Sequence, residues 1–343
     1  MARPTILDVA RKAGVGVGTV SRVLNNSPRV SPATRQRVLN AIKELDFRPN
    51  TVARQLPRKT RLRNIGVITQ PFINHHSFVE RLRGVQRVLG QTARRYELVL
   101  YNISSLDHLD ERLVTIARTG SVDGLLLIDL DLTPEQVELL TSANIPFVGL
   151  NQFQDRDWPC IGSDNEAGGR LAASYLIELG HRQIAYVGDE FVSQELAFTT
   201  SAERFAGFRA VMEEHGLSLP EDYVQLGPYG YDTARELTHR LLALPTPPTA
   251  IFAMSDMQAL GCIAAVRAAG LRVPDDISVI GYDNLEISFH TGLTTINQNL
   301  ELNGRLGIEY LLKMLSKGAR PVPVPQMPPL EVVERQTTRP LHG

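Results

Sequence analysis

Thr5-Ile-Leu-Asp-Val-Ala-Arg-Lys-Ala-Gly-Val15 and Thr19-Val-Ser-Arg-Val-Leu-Asn25 are the stretches that decide the fold. Thr5 opens a helix with Asp8 in its first turn, where an acid suits the exposed N–H groups. Ile6, Val9, Ala10 and Ala13 share one face of it. Gly14-Val15-Gly16 breaks the run. A second short helix is expected from about Val17 to Leu24, with Val20, Val23 and Leu24 inward. Two short helices joined by a Gly-containing turn form a helix-turn-helix. Ser31-Pro32 reads as an N-cap followed by Pro at the first helical position. It starts a third helix through Leu45, with Val38, Ile42 and Leu45 on one face. The first 49 residues are therefore expected to be a small all-α headpiece.

Charge separates this segment from the rest. The 343 residues carry a net charge of −1, but residues 1–63 hold 14 Lys and Arg against three acids, a net of +11, and the remainder carries −12. A basic arm on an acidic body is the footprint of a polyanion partner. With 43% hydrophobic residues the chain can bury a sizeable core, and its length suggests more than one domain. Cys160 and Cys262 have neither disulfide-framework nor metal-ligand spacing. The N-terminus lacks an apolar signal segment, and no stretch reaches the length of a membrane span. A cytoplasmic protein is expected.

The segment resembles the headpiece of the lactose/galactose repressor (LacI/GalR) family of bacterial transcription regulators. Besides the two opening stretches, Val30-Ser31, Thr34-Arg35 and Arg48-Pro49-Asn50 carry the likeness, about fifty residues in register. In such a headpiece the second helix enters the major groove with its N-terminal residues at base edges. Those residues are Val17, Gly18 and Arg22. Arg22 can grip guanine O6 and N7 with two hydrogen bonds, Val17 offers methyls to a thymine methyl, and Gly18 allows close backbone approach. Thr5, Thr19, Ser21 and Asn25 are candidate backbone contacts; Ser21 can equally be a small residue packed between helices. Gly16 departs from the family's usual Ser or Thr, so an N-cap side chain worth about 1 kcal/mol is missing. Asn50-Thr-Val-Ala-Arg-Gln-Leu56 resembles the family's hinge helix, too short to be stable alone. The resemblance implies that Leu56 wedges into a central base step from the minor groove, with Asn50, Val52, Ala53 and Arg54 beside the twin hinge or in the groove. A flexible linker is the other reading, and the two can hold at different times. Residues 50–63 then form hinge and linker.

Beyond residue 63 short apolar runs alternate with helical patterns. Strands are expected at 64–69, 97–101, 124–128, 147–150, 183–187, 250–253 and 278–281, and helices at 77–91, 135–143, 166–179, 202–215, 232–244 and 257–269. Such alternation argues α/β architecture with parallel sheets. The strand count exceeds one compact sheet, so two doubly wound subdomains with a ligand cleft between them fit better. The motifs Val122-Asp-Gly-Leu-Leu-Leu127, Ile161-Gly-Ser-Asp-Asn165, Leu179-Gly-His-Arg182, Arg204-Phe-Ala-Gly-Phe208, Ile280-Gly-Tyr-Asp-Asn284 and Leu293-Thr-Thr-Ile-Asn-Gln298 extend the resemblance over nearly the whole chain. It implies a periplasmic-binding-protein-like body over 64–340, responsible for effector binding and dimerisation. By the same analogy the chain crosses between lobes near 163, 292 and 322. The N-subdomain is then about 64–163 plus 293–322, and the C-subdomain about 164–292 plus 323–340.

A polyhydroxylated ligand needs fixed donors, acceptors and a flat wall. Asp283 lies just past a strand end, where ligands sit in open α/β sheets, and Arg204 is a forked donor near a helix start. The family uses the matching Asp and Arg for ligand hydroxyls or carboxylates. Phe78 and Tyr229 are either walls or core residues. Ser255, Gln298 and Asn151, with its neighbour Gln152, are further cleft candidates. Asp256 reads as a helix cap. His75 and His76 read as exposed loop residues, not a zinc site.

The whole is expected to be a sequence-specific regulator, most simply a repressor, binding double-stranded DNA at a palindromic operator as a homodimer. A small-molecule effector controls it: a sugar first, with a purine or an organic acid also open. No cofactor and no membrane partner are expected, and the chain ends without a heptad tail for tetramer formation. The rival readings are a sugar-binding receptor and a sugar-processing enzyme, each fused to a DNA-binding module. No Walker loop, dinucleotide glycine fingerprint, nucleophile elbow or metal-binding His pair is present, and a receptor leaves the basic headpiece unexplained.

Overall fold

A computed structural model of the chain describes residues 6–24, 30–45, 63–69, 76–92, 96–150, 157–190, 200–316 and 323–341. Thr5, Asn25, the hinge residues Asn50, Val52, Ala53, Arg54 and Leu56, His75, Asn151 and Gln152 lie outside the described residues. The chain divides into two units, Met1–Arg61 and Leu62–Gly343.

In the first unit, α1 (Ile6–Ala13), α2 (Val17–Leu24) and α3 (Pro32–Glu44) enclose a small core. Val9, Ala10, Ala13, Val20, Val23, Val38 and Ala41 form it, with Val15, Val30, Ile42 and Leu45 at its edge. The Ser31 hydroxyl accepts from the Thr34 backbone N–H at 3.3 Å and caps α3. At the start of α2 the Gly16 carbonyl accepts from the backbone N–H of Thr19 and Val20, and no side chain is there to cap the free N–H groups.

The second unit holds two parallel sheets. β1 (Arg63–Thr69), α4 (His76–Gln91), β2 (Tyr96–Asn102), α5 (Leu106–Thr119), β3 (Gly124–Ile128), α6 (Pro134–Ser142) and β4 (Phe147–Leu150) build the N-lobe, strand order β2-β1-β3-β4. The chain then enters α7 (Asn165–Glu178), β5 (Ile184–Asp189), α8 (Thr200–Glu214), β6 (Val224–Gly227), α9 (Tyr231–Leu242), β7 (Ala250–Ala253), α10 (Asp256–Ala268), β8 (Ser278–Asp283), α11 (Glu286–Thr291) and β9 (Thr294–Asn297). α12 (Leu300–Met314) returns to the N-lobe, and β10 (Glu331–Val333) completes the C-lobe sheet, order β10-β9-β8-β7-β5-β6. β10 runs antiparallel and the other strands parallel; β1, β3, β4, β5, β7 and β8 carry stretches buried on both faces, whereas the edge strands β2 and β6 are partly exposed.

Two of the expected crossing points move. β9 pairs with β8 through Ile280–Thr294 to Asp283–Asn297, so residues 294–297 belong to the C-lobe and the second crossing falls at Gln298-Asn299. The run Thr294-Thr-Ile-Asn297 is buried against its neighbours, and this burial as a sheet strand outweighs its place after the Gly292 helix terminus. Val324 and Met327 still pack on the N-lobe core, whereas Leu330 and Val332 pack in the C-lobe. The third crossing is therefore at Pro328-Pro329, not near 322. The first is at Gly162-Ser163, between Ile161 in the N-lobe core and Asp164, the N-cap of α7. The three lie side by side: the Ser163 hydroxyl donates to the Gln298 carbonyl at 3.4 Å, and the Asn297 amide donates to Glu331 at 2.9 Å.

Candidate functional site

In the headpiece, Val20 and Val23 turn one face of α2 into the core. Val17, Gly18 and Arg22 are exposed, and Thr19 is half-buried. Val17 is an apolar side chain left 37% exposed at the first position of a helix, so covering its methyls with a partner would gain burial energy. Ser21 stands on the same helix. The fold thus brings together Val17, Gly18 and Arg22 on a surface free of acidic side chains within α2.

In the body, strand order reverses between β1 and β3 and between β5 and β7. Crevices open at the carboxyl ends of strands at such points. A cleft lies there, lined from the N-lobe by Ser77, Arg81 and Asp129, and from the C-lobe by Asp189, Thr200, Arg204, Tyr229, Met254, Ser255 and Asp283, with Gln298 at a crossing.

Arg204 is fixed on every side. α8 carries it against α7, where a Cβ on Gly169 would strike the Arg204 carbonyl. Its Nε donates to Asn165 at 2.9 Å, one Nη donates to the Met254 carbonyl, and the guanidinium stacks 3.6 Å above the Tyr282 ring. Asp283, the last residue of β8, lies 3.9 Å from the same Nη. It accepts from the Gln298 side-chain amide at 2.5 Å and adopts φ +121°, an uncommon conformation for a residue with a side chain and one that clusters at ligand sites. Burial pushes its carboxyl above the usual carboxylate range, opposed by Arg204 and the Gln298 hydrogen bond. Arg81 comes from the other lobe. It donates to Asn303 on α12 and to Asp129 just past β3, both at 3.0 Å. α12 is close enough to α4 that a Cβ on Gly304 would strike the Arg81 carbonyl.

Five of the expected cleft residues, Arg204, Tyr229, Ser255, Asp283 and Gln298, come together here. Phe78 does not: it is 4% exposed and packs in the N-lobe core with Ile65, Val67 and Val85. Capping falls to Ser255, whose hydroxyl accepts from the Gln258 N–H, and not to Asp256. Asp256 instead turns inward from the first position of α10 and accepts from Leu285 N–H, Ser288 and Thr295. Its carboxyl is raised by burial and by the nearby Asp283. Arg81, Asp129 and Asp189 were not expected from the sequence. Asp129 and Asp189 sit at or one step past a strand end, the signal that had marked Asp283. Among the described residues no group of His, Cys, Asp and Glu is arranged to hold a metal, and no helix is long and apolar enough to cross a membrane.

Comparison with known proteins matches this architecture. Residues 5–50 fit the profile of bacterial regulatory proteins of the lacI family, and residues 173–338 that of a periplasmic binding protein-like domain. The transcriptional repressor PurR of Vibrio parahaemolyticus is 36% identical over 98% of this chain and 99% of its own. Catabolite control protein A of Priestia megaterium is 32% identical over 98% and 99%. The crystal structure of the Lac repressor dimer bound to operator and the anti-inducer ONPF superposes with TM-score 0.70 at 29% identity, covering 98% of this chain and all of that one. A complex of the transcriptional regulator CelR with cellobiose gives TM-score 0.65 at 30% identity over 98% of this chain and all of that one. The chain belongs to the LacI family, transcriptional repressors that bind operator DNA as dimers and answer to small-molecule effectors.

Proposed function

We propose that the interlobe cleft is the effector site and that a small polyhydroxylated metabolite, a sugar, is gripped there by Arg204 and Asp283. The observation that carries this is the convergence of a buried guanidinium and a buried carboxylate at strand ends, faced across the cleft by Arg81 and Asp129. A carboxylate accepting from hydroxyls and a guanidinium donating to them suit a polyol. The cellobiose bound by CelR supports a sugar. Three aspartates against two arginines weigh against an organic acid.

On the DNA side, Val17, Gly18 and Arg22 read base edges of a palindromic operator, and Thr19 meets the backbone. Thr5, Ser21 and Asn25 join Thr19, and the hinge from Asn50 to Leu56 enters the minor groove. The protein works as a cytoplasmic, non-catalytic switch. Effector binding changes the spacing of the lobes and thereby of the paired hinges, with a coupling of about 1–3 kcal/mol between the two sites.

Arg204→Ala and Asp283→Ala test the reading. A panel of mono- and disaccharides is screened by thermal shift, since a bound ligand raises stability by mass action, and hits are titrated into the protein–operator complex. Both variants are expected to bind operator and to lose the sugar response. If both respond as the parent does, the effector site is elsewhere.

A further inference from the structure

We propose that Asp189 makes the cleft selective for a polyhydroxylated effector that carries a protonated amine, its carboxylate pairing with the ammonium group. The proposal rests on the reading of the cleft as the effector site.

Asp189 ends β5 beside β7, where strand order reverses in the C-lobe sheet, so its side chain stands at the focus of the crevice. It is 8% exposed. One oxygen accepts from the Gln258 side-chain amide at 2.8 Å. Gln258 is itself locked, because its carbonyl accepts from the Ser255 hydroxyl at 2.7 Å and its backbone N–H is capped by the same hydroxyl. The carboxylate is thus held by one edge. Its second oxygen has no hydrogen-bond partner among the described residues and borders the cleft.

The charges around the cleft point to the missing partner. Arg81 pairs with Asp129 at 3.0 Å, and Arg204 leans on Asp283 at 3.9 Å. No described cation lies within ion-pair distance of Asp189, and Arg204, the nearest source of positive field, is tied to Asn165 and Met254. Asp189 is therefore the one carboxylate of the cleft lining without a counter-ion among the described residues. A buried carboxylate without a counter-ion is costly, so burial favours its protonated form until a cationic partner arrives and releases that proton. A ligand hydroxyl supplies one neutral hydrogen bond. An ammonium supplies a charge-assisted bond and cancels the charge. An anionic ligand would meet the carboxylate, and each guanidinium, though it keeps free N–H donors, already has an aspartate beside it.

The experiment uses the full chain and three hexosamines (glucosamine, galactosamine and mannosamine), each against its parent hexose and its N-acetyl derivative. Binding is read by thermal shift and calorimetric titration at neutral pH, for the parent and for Asp189→Asn. At least one hexosamine is expected to bind about tenfold or more tighter than its parent hexose and its N-acetyl form, as a bond to a charged group allows. In Asp189→Asn that preference disappears, while the ligand-free melting temperature does not fall. A hexose or N-acetyl form that binds as tightly as the amine, a preference that survives in Asp189→Asn, or no binding by any hexosamine overturns the proposal. A neutral sugar whose binding is lost in Asp283→Ala would leave the cleft as effector site and remove only the role of Asp189.

Discussion

Three aspartates stand at strand ends around one cleft in different electrostatic company. Asp129 has Arg81, Asp283 has Arg204 and the Gln298 amide, and Asp189 has Gln258. Burial, outweighing the Gln258 bond and the field of Arg204, pushes the Asp189 carboxyl up to about 7. From the ordinary carboxylate range up to about 7, the folded chain keeps a proton that the unfolded chain has lost. Stability contributed by this group is therefore fullest in acid, falls as pH rises through that window, and levels off above it. Asp189→Asn should be more stable than the parent at about pH 8 by a few kcal/mol, since each tenfold difference in proton affinity between folded and unfolded chain is worth about 1.4 kcal/mol. The advantage should vanish toward about pH 4. Thermal melts at several pH values check this; a constant difference between the two proteins would remove the electrostatic account. Residue chemistry at strand ends was only partly legible in the sequence. Asp283 and Arg204 stood in motifs of their own. Arg81 gave no signal, because its cleft partners are brought by α12 and β3, 222 and 48 residues away.

α7 and α8 are placed by absent side chains. A Cβ on Gly169 would strike the Arg204 carbonyl, and one on Gly207 the Glu166 carbonyl, so the helices meet backbone to backbone. Gly169→Ala should push α8 outward, costing about 1–3 kcal/mol as overpacking does. Because Arg204 rides on α8, effector response should weaken with it. Denaturant midpoints and effector titration measure the two effects; a stable variant with a full response would show that Arg204 does not depend on this contact. Elements with strong local patterns were readable: α2 falls at Val17–Leu24 and β3 at Gly124–Ile128, both as expected. β9 was not, because the short, mostly polar run Thr294-Thr-Ile-Asn297 carries no strand signal of its own and no information about which sheet will accept it, and here β8 and β10 decided. α12 also escaped notice, although its buried Ile308 and Leu311 help close the N-lobe core.

A headpiece and linker at +11 and a remainder at −12 divide the labour between polyanion and metabolite. Operator affinity should fall linearly with log salt concentration, losing about 1000-fold or more between about 50 and 200 mM salt if six or more phosphates are contacted by the dimer. Fluorescence anisotropy with a palindromic duplex, alongside sedimentation of the complex, checks slope and stoichiometry. A flat salt response, or one chain bound per half-site duplex with full affinity, would count against it. The lobes of the body are joined at Gly162-Ser163, Gln298-Asn299 and Pro328-Pro329, three adjacent points. The last is a diproline whose φ angles are locked, a strut of nearly fixed length. Three short tethers in a row act as the pins of a door: they resist sliding and stretching and leave rotation about their common line as the soft degree of freedom. Every ligand that draws the strand ends together must drive that same rotation, whatever its chemistry. Residues at the strand ends are then free to diverge in what they bind while the soft rotation between the lobes stays the same.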